Sequence, residues 1–211
     1  MESRRPYRSR LRSAQAAQTR ERILAAAAGE FSRRGYAGTS IPAIAEAAGV
    51  SPETVKSHGA KHELLLAAFE YTFAGREGDA PIADDEAVRA ARADVPPEGL
   101  PDFFADLAAT LSARGAGLWA AFSAAARSDD AVAAVHRDLL ARRLEDHGRV
   151  VDIFRAHGML TGDRSRDDLA AELAHLASPE GYLLLVEGYG WTAERYRAWL
   201  AAATRRLLAD G

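Results

Sequence analysis

Apolar residues recur at helical spacing along most of this chain. Ile23, Ala27 and Phe31 stand four apart, with Leu24 and Ala28 beside them, which predicts an amphipathic helix over about 14–34. Gly35 is placed to stop it. Thr39 and Ser40 then offer an N-cap and Pro42 suits a first turn, so a second helix is expected over 41–48. Gly49 breaks that pattern after two turns. Ser51-Pro52-Glu53-Thr54 supplies a cap, a first-turn proline and an early acid, so a third helix starts at 52. A fourth is expected over 62–74, with Leu65, Ala68, Phe69 and Thr72 on or near one face.

Residues 75–101 are punctuated by Gly75, Gly78, Pro81, Pro96, Pro97, Gly99 and Pro101. They read as a linker or lid with one short helix near 84–93. Long helical patterns follow near 102–127, 129–157, 166–177, 180–188 and 193–209. Gly115 and Gly117 are expected to split the first of these.

Composition agrees. The 211 residues include 47 Ala and 22 Leu, while Val, Ile and Thr together number only 22. Helix formers dominate and the β-branched types favoured in strands are scarce. The expected fold class is all-α. A disordered basic arm over 1–13 precedes an N-terminal three-helix unit that, with its connecting helix, spans 14–74. A larger helical domain fills 75–211. The chain has no cysteine, which excludes disulfides, thiolate metal sites and cysteine nucleophiles. No apolar run reaches the roughly 20 residues that a membrane span needs. Seven Arg among the first 22 residues argue against a secretory signal, so a cytoplasmic protein with no membrane partner is expected.

The net charge of −3 conceals a split. Residues 1–62 carry 11 Lys/Arg against 5 Asp/Glu, a net of +6; residues 63–211 carry 16 against 25, a net of −9. A basic N-terminal unit on an acidic remainder suggests a polyanionic partner for the first part alone.

Two short helices around Gly49, behind a longer one, read as a helix-turn-helix. Ile44, Ala45, Ala48, Val50 and Val55 fill its apolar slots. Ala45 is small where the helices cross, and Gly49 supplies the positive φ of the tight turn. Ser51, Pro52, Glu53, Thr54, Lys56 and Ser57 are left facing outward, small and hydrogen-bonding, as a major groove requires. Thr39, Ser40, His58 and Lys61 complete the candidate DNA contacts.

Little points to catalysis. Of the six His only His58 and His62 stand at H-x-x-x-H spacing, across the break at Gly59 rather than on one helix, and the single Glu172/His175 spacing falls short of a di-metal bundle. No phosphate loop, nucleophile elbow or paired-acid motif is present. No catalytic residue, metal or cofactor is expected.

Thr19-Arg20-Glu21-Arg22-Ile23-Leu24-Ala25-Ala26-Ala27, Phe31, Gly35-Tyr36, Thr39-Ser40-Ile41, Ile44 to Ser51 and Thr54-Val55 together resemble the N-terminal domain of the tetracycline-repressor (TetR) family over about residues 16–70. Leu176 to Tyr182 and Gly190 to Leu200 look like the C-terminal helices of actinobacterial members. The resemblance implies a homodimeric, ligand-responsive repressor that reads a palindromic operator in double-stranded DNA and leaves it when a small-molecule effector binds.

One departure stands out. After Thr-Val/Leu the family pattern is Tyr, two variable residues, Phe, Gly, Ser, Lys. Here Lys56-Ser57-His58-Gly59-Ala60-Lys61 is one residue short. Either Tyr is lost and His58 replaces Phe, or Phe is lost and Lys56 replaces Tyr. In the family the Tyr touches phosphate and the Phe packs beneath the recognition helix. The alternative function is therefore a ligand-binding dimer with impaired or altered operator binding.

Phe103, Phe104, Leu107, Leu111, Trp119, Phe122 and Phe154 are the candidate walls of an apolar effector pocket. Tyr196, Leu200, Ala203 and Leu207, at steps of 4, 3 and 4, make an apolar stripe on the last helix with Trp199 beside it. With Tyr182 and Leu185 they are the candidate dimer interface.

Overall fold

The structure, a computed structural model, describes residues 5–209, and the described residues form helices and no strand. Helix α1 spans Arg5–Gly38 but is broken at Gly35, whose φ of 67° and ψ of 175° are non-helical. It begins inside the segment read as an arm; residues 1–4 lie outside the described residues. Helices α2 (Ile41–Ala48), α3 (Pro52–Ser57) and α4 (Lys61–Ala74) follow in short order. After the strap 75–85 come α5 (Glu86–Ala93), α6 (Leu100–Ala125), α7 (Asp130–Ala156) and α8 (Arg166–Leu176). Helix α9 (Pro179–Tyr182) runs on into a π-helical stretch, Leu183–Gly188, and α10 (Ala193–Ala209) closes the chain.

The sequence signals act as caps. Ser40, Ser51, Asp129, Ser165 and Ser178 each accept a hydrogen bond from a backbone N–H in the first turn of the helix they precede. The expected split of the helix at 102–127 does not occur: α6 is continuous through Gly115 and Gly117. The glycine at 115 serves packing instead. A Cβ there would lie 2.8 Å from the Phe73 ring of α4, so its absence lets the two helices close up.

Two apolar cores result. The first joins Ile23, Leu24 and Phe31 of α1, Ile44 of α2, Val55 of α3 and Leu64, Leu65 and Phe69 of α4 to Leu118, Trp119 and Phe122 at the end of α6 and Val132 of α7. The second holds Leu100, Phe104, Val151, Phe154, Leu169, Leu173, Tyr196 and Leu200. Each fully buried Leu or Phe contributes about 1.5–3 kcal/mol. The N-terminal unit therefore shares its core with the middle of the chain, and α4 and α6 carry contacts between them.

The stripe on α10 faces inward. Tyr196 and Leu200 are wholly buried, and Ala203, Leu207 and Tyr182 nearly so, within one chain. Helix α10 packs on α6 and α8, and the Tyr182 and Tyr196 rings meet edge to face at 5.0 Å. These five residues cannot form a subunit interface, because their own chain covers them. Leu185 and Trp199 are half-buried against the same core.

Candidate functional site

The turn between α2 and α3 is built around Gly49, at φ 65° and ψ 40°, a left-handed conformation that costs a glycine nothing. Its N–H donates to the Glu46 carbonyl (3.1 Å), and Val50 N–H donates to that of Ala45 (3.0 Å). Val55, fully buried, anchors α3 below. The opposite side is open: Ser51, Glu53, Lys56 and Ser57 are exposed, and Pro52, Thr54 and His58 are half-exposed. Three hydroxyls on this side are pre-positioned. Ser51 and Thr54 share a hydrogen bond of 3.0 Å, and Ser57 donates to the Thr54 carbonyl at 2.7 Å. Ser40, exposed, caps α2 beside them.

Thr39 does not belong to this surface. It is 2% exposed, and its hydroxyl points at the carbonyls of Gly35 (2.8 Å) and Glu30 (3.1 Å). Those carbonyls lose helical partners where Gly35 breaks α1, so Thr39 satisfies a helix end rather than a ligand.

The shortened turn after α3 is closed at Gly59. Its φ of 134° is open to glycine and strained for any other residue. Its N–H reaches the Lys56 carbonyl at 3.2 Å. Glu63 accepts from Ala60 N–H at 2.7 Å and starts α4. Arg20 braces the turn from α1: it donates to the His58 carbonyl at 2.5 Å and pairs with Glu77 at 2.6 Å. Lys61 stands with its Nζ 4.1 Å from the centre of the Tyr36 ring. Burial draws its pKa below the ordinary lysine value, while Asp129, at the start of α7, pushes it back up. Its ammonium is thus engaged within the protein.

A cavity of about 100 Å³ lies on the other side of α4. Helix α6 offers Phe103, Phe104, Leu107 and Leu111, and α7 offers Arg143, Asp146, His147, Val150 and Phe154. Phe73 of α4 and Ile82, Ala83, Val88 and Arg92 of the strap and α5 close it. Five of the seven residues expected in a pocket thus line one cavity. Trp119 and Phe122 do not. They sit in the first core, their rings 5.2 and 6.3 Å from Phe69 and both 5.1 Å from His136. Aromatic residues recur along all of α6, but its second half passes under α1 and α4.

The missed residues had a signal. Arg143, His147, Val150 and Phe154 step by 4, 3 and 4 along α7, so a charge and an imidazole share an apolar face. The strap was read as a lid, yet its side chains gave no indication of facing inward. It is pinned there by Asp146, whose carboxylate accepts from the N–H of Ile82 (3.1 Å) and Ala83 (3.3 Å). Burial raises the Asp146 pKa and these bonds oppose that rise. His147 is desolvated, which lowers its pKa to about 4. At neutral pH its ring is uncharged, and Nδ1–H donates to the Arg143 carbonyl at 2.7 Å.

Glu172, the carboxylate of the lone Glu/His spacing, is paired with Arg164, and His175 is exposed. Among the described residues, no three His, Cys, Asp or Glu are grouped to hold a metal, and no helix is long and apolar enough to cross a membrane.

Residues 23–68 match the family model of bacterial regulatory proteins of the tetR family. No curated protein matches the chain. Solved structures do resemble it in fold. A protein from Rhodococcus sp. assigned to the TetR-family transcriptional regulators is 20% identical, with a TM-score of 0.68 over 92% of this chain and 100% of its own. A transcriptional regulator from Saccharomonospora viridis, in complex with choline, is 20% identical with a TM-score of 0.64, over 88% of this chain and 95% of its own. NalD of Pseudomonas aeruginosa, the secondary repressor of the MexAB-OprM multidrug efflux pump, is 16% identical with a TM-score of 0.64, over 92% and 98%.

Proposed function

We propose that the chain, whose residues 23–68 match the family model of bacterial regulatory proteins of the tetR family, is a transcriptional repressor of that family whose cavity takes a small apolar effector. The observation that carries the reading is the double duty of α4. Its first turn abuts the α3 turn through Glu63, which accepts from Ala60 N–H, and its last turn puts Phe73 into the cavity wall. A molecule entering the cavity presses on Phe73, and α4 relays the displacement to the outward face of α3. Two copies reading a two-fold site would place their recognition helices about 10 bp apart or a multiple of that. The interface we propose for this homodimer uses what α10 and the π-helical stretch leave uncovered: Leu184 (51% exposed), Tyr189 (67%), Ala198, Trp199 and Ala202. A cytoplasmic location follows from an operator on the chromosome.

Chromatin-wide binding followed by gel shift on the chain's own upstream region tests this. Sequence-specific binding at low salt is expected, and none at any genomic site would overturn it. Lys56→Ala is expected to weaken binding to all sequences alike and to lower the salt dependence by about one phosphate contact. Ser57→Ala is expected to act at particular base pairs.

The second reading, a ligand-binding dimer with impaired operator binding, draws on Lys61. The family's phosphate-contacting lysine stands here over Tyr36. Lys56→Tyr separates the two: a large gain in DNA affinity favours the second reading, and no gain favours an altered but competent head.

A further inference from the structure

Helix α7 carries three arginines along the cavities beneath the strap, and their surroundings differ. Arg142 pairs with Glu70 at 2.8 Å and Arg149 with Asp84 at 2.8 Å. Arg143 is half-buried, and among the described residues its guanidinium makes no ion pair and no side-chain hydrogen bond. Glu180 and Asp146 favour its charge from a distance, and it stands over the Trp119 ring with 4.7 Å to the centroid. A guanidinium keeps its proton at neutral pH even when buried. Its five donors thus have no protein acceptor among the described residues, which leaves them open to a ligand's oxygens.

Arg143 lines the effector cavity. Arg143 also lines a second, larger cavity of about 400 Å³ that adjoins the first through Phe73, Ile82 and Asp146. We propose that Arg143 anchors the carboxylate of the effector, a small monocarboxylic acid whose apolar body lies among Phe103, Phe104 and Phe154. This rests on the reading of the cavity as the effector site.

The rest of the lining decides for an anion over a cation. Asp146 is the cavity's one carboxylate, and two backbone N–H groups of the strap already occupy it. Arg92 adds a second positive group, held to the Ala83 carbonyl at 3.2 Å, and His147 is neutral. A quaternary ammonium would meet two guanidinium groups and one engaged carboxylate. A carboxylate matches the planar fork of Arg143 and leaves the walls to an alkyl or aryl group. With one guanidinium free of any protein acceptor, one carboxylate is matched. At about 100 Å³ the cavity is smaller than the engineered cavity of about 150 Å³ that takes benzene, so the apolar body is no larger than a benzene ring.

Calorimetric titration of the full-length chain, without DNA, with butanoate, hexanoate, benzoate and phenylacetate tests this, each against its primary amide, with choline as the cationic arm. At least one acid is expected to bind ten times or more tightly than its amide. Arg143→Lys, which keeps the charge and loses the fork, is expected to cut that acid-over-amide ratio at least fivefold. Arg142→Gln, one residue away on the same helix, is expected to leave it unchanged. Equal binding of acid and amide, binding of choline alone, no binding by the whole series, or an Arg143→Lys ratio equal to the parent's would each overturn the proposal. Since DNA is absent, these outcomes stand apart from the gel-shift result: a chain that takes benzoate and ignores every operator fails only as a repressor.

Discussion

His147 shows how a single residue acquires a property that its type alone does not give. Enclosed by α7 and Phe104, whose ring it meets edge to face at 6.2 Å, it titrates near 4 rather than 6.5. Between those two values the unfolded chain takes up a proton on this ring that the folded chain refuses. Stability therefore falls as pH falls from 6.5 towards 4, by roughly 3 kcal/mol at the lower limit, and the residue adds nothing to the pH dependence above 6.5. His147→Asn, which keeps a donor for the Arg143 carbonyl, is expected to lose that part of the acid sensitivity. Urea denaturation at pH 7 and pH 4.5 checks it: the stability lost between the two should be smaller in the variant by about 2 kcal/mol. Equal losses would place the ring in water. Asp146, whose pKa is raised, works in the opposite sense but is common to both proteins and drops out of the difference. Thr39 makes the converse point. A hydroxyl before a helix reads as a DNA contact or a cap, and only its burial against the Gly35 and Glu30 carbonyls assigns it to the fold.

At the scale of elements, the start signals were legible because they are local. A Ser-Pro-Glu run satisfies first-turn N–H groups whatever surrounds it, and α3 and α9 begin where such runs stand, while α2 begins behind Ser40 with Pro42 in its first turn. Gly115 misled because a glycine inside a helical pattern has two uses, as a breaker or as a contact, and only the neighbouring helix tells them apart. The loop from α3 to α4 has one residue fewer than the family pattern, and Gly59 takes up the difference. Gly59→Ala would hold a Cβ at φ 134° and bring it 3.0 Å from the Glu63 carboxylate that accepts from Ala60 N–H. A cost of about 1–3 kcal/mol is expected, with a lower urea midpoint and weaker DNA binding. An unchanged midpoint would mean that the turn is not held in this conformation.

For the whole molecule, the proposed dimer turns on which apolar surface its own chain leaves uncovered. Leu200 is wholly enclosed between α10 and its own chain's neighbours, so Leu200→Asp is expected to unfold the C-terminal core, costing at least about 3 kcal/mol, rather than to release folded monomers. Leu184→Asp, on the exposed side, is expected to leave the helical content intact and yield monomers by light scattering. A dimer that survives Leu184→Asp would put the interface elsewhere, with the exposed Leu140 and Leu144 of α7 next in line.

The periodicity of Ile23, Ala27 and Phe31, the Gly49 turn and the Ala/Leu composition determined the helical class, most helix positions and the helix-turn-helix, because each depends on residues within a turn or two of one another. Partnership did not follow. The stripe at Tyr196, Leu200, Ala203 and Leu207 is real, but an amphipathic pattern specifies that a face is covered and not by what; α6 and α8 cover it here, where a second subunit was expected. The α6 aromatics divide in the same way, Phe103 and Phe104 to the cavity and Trp119 and Phe122 to the core under α4. The unpaired guanidinium of Arg143 belongs to the tertiary structure alone, since the arginines beside it on the same helix find carboxylates on α4 and the strap, segments more than 60 residues away along the chain, and it does not.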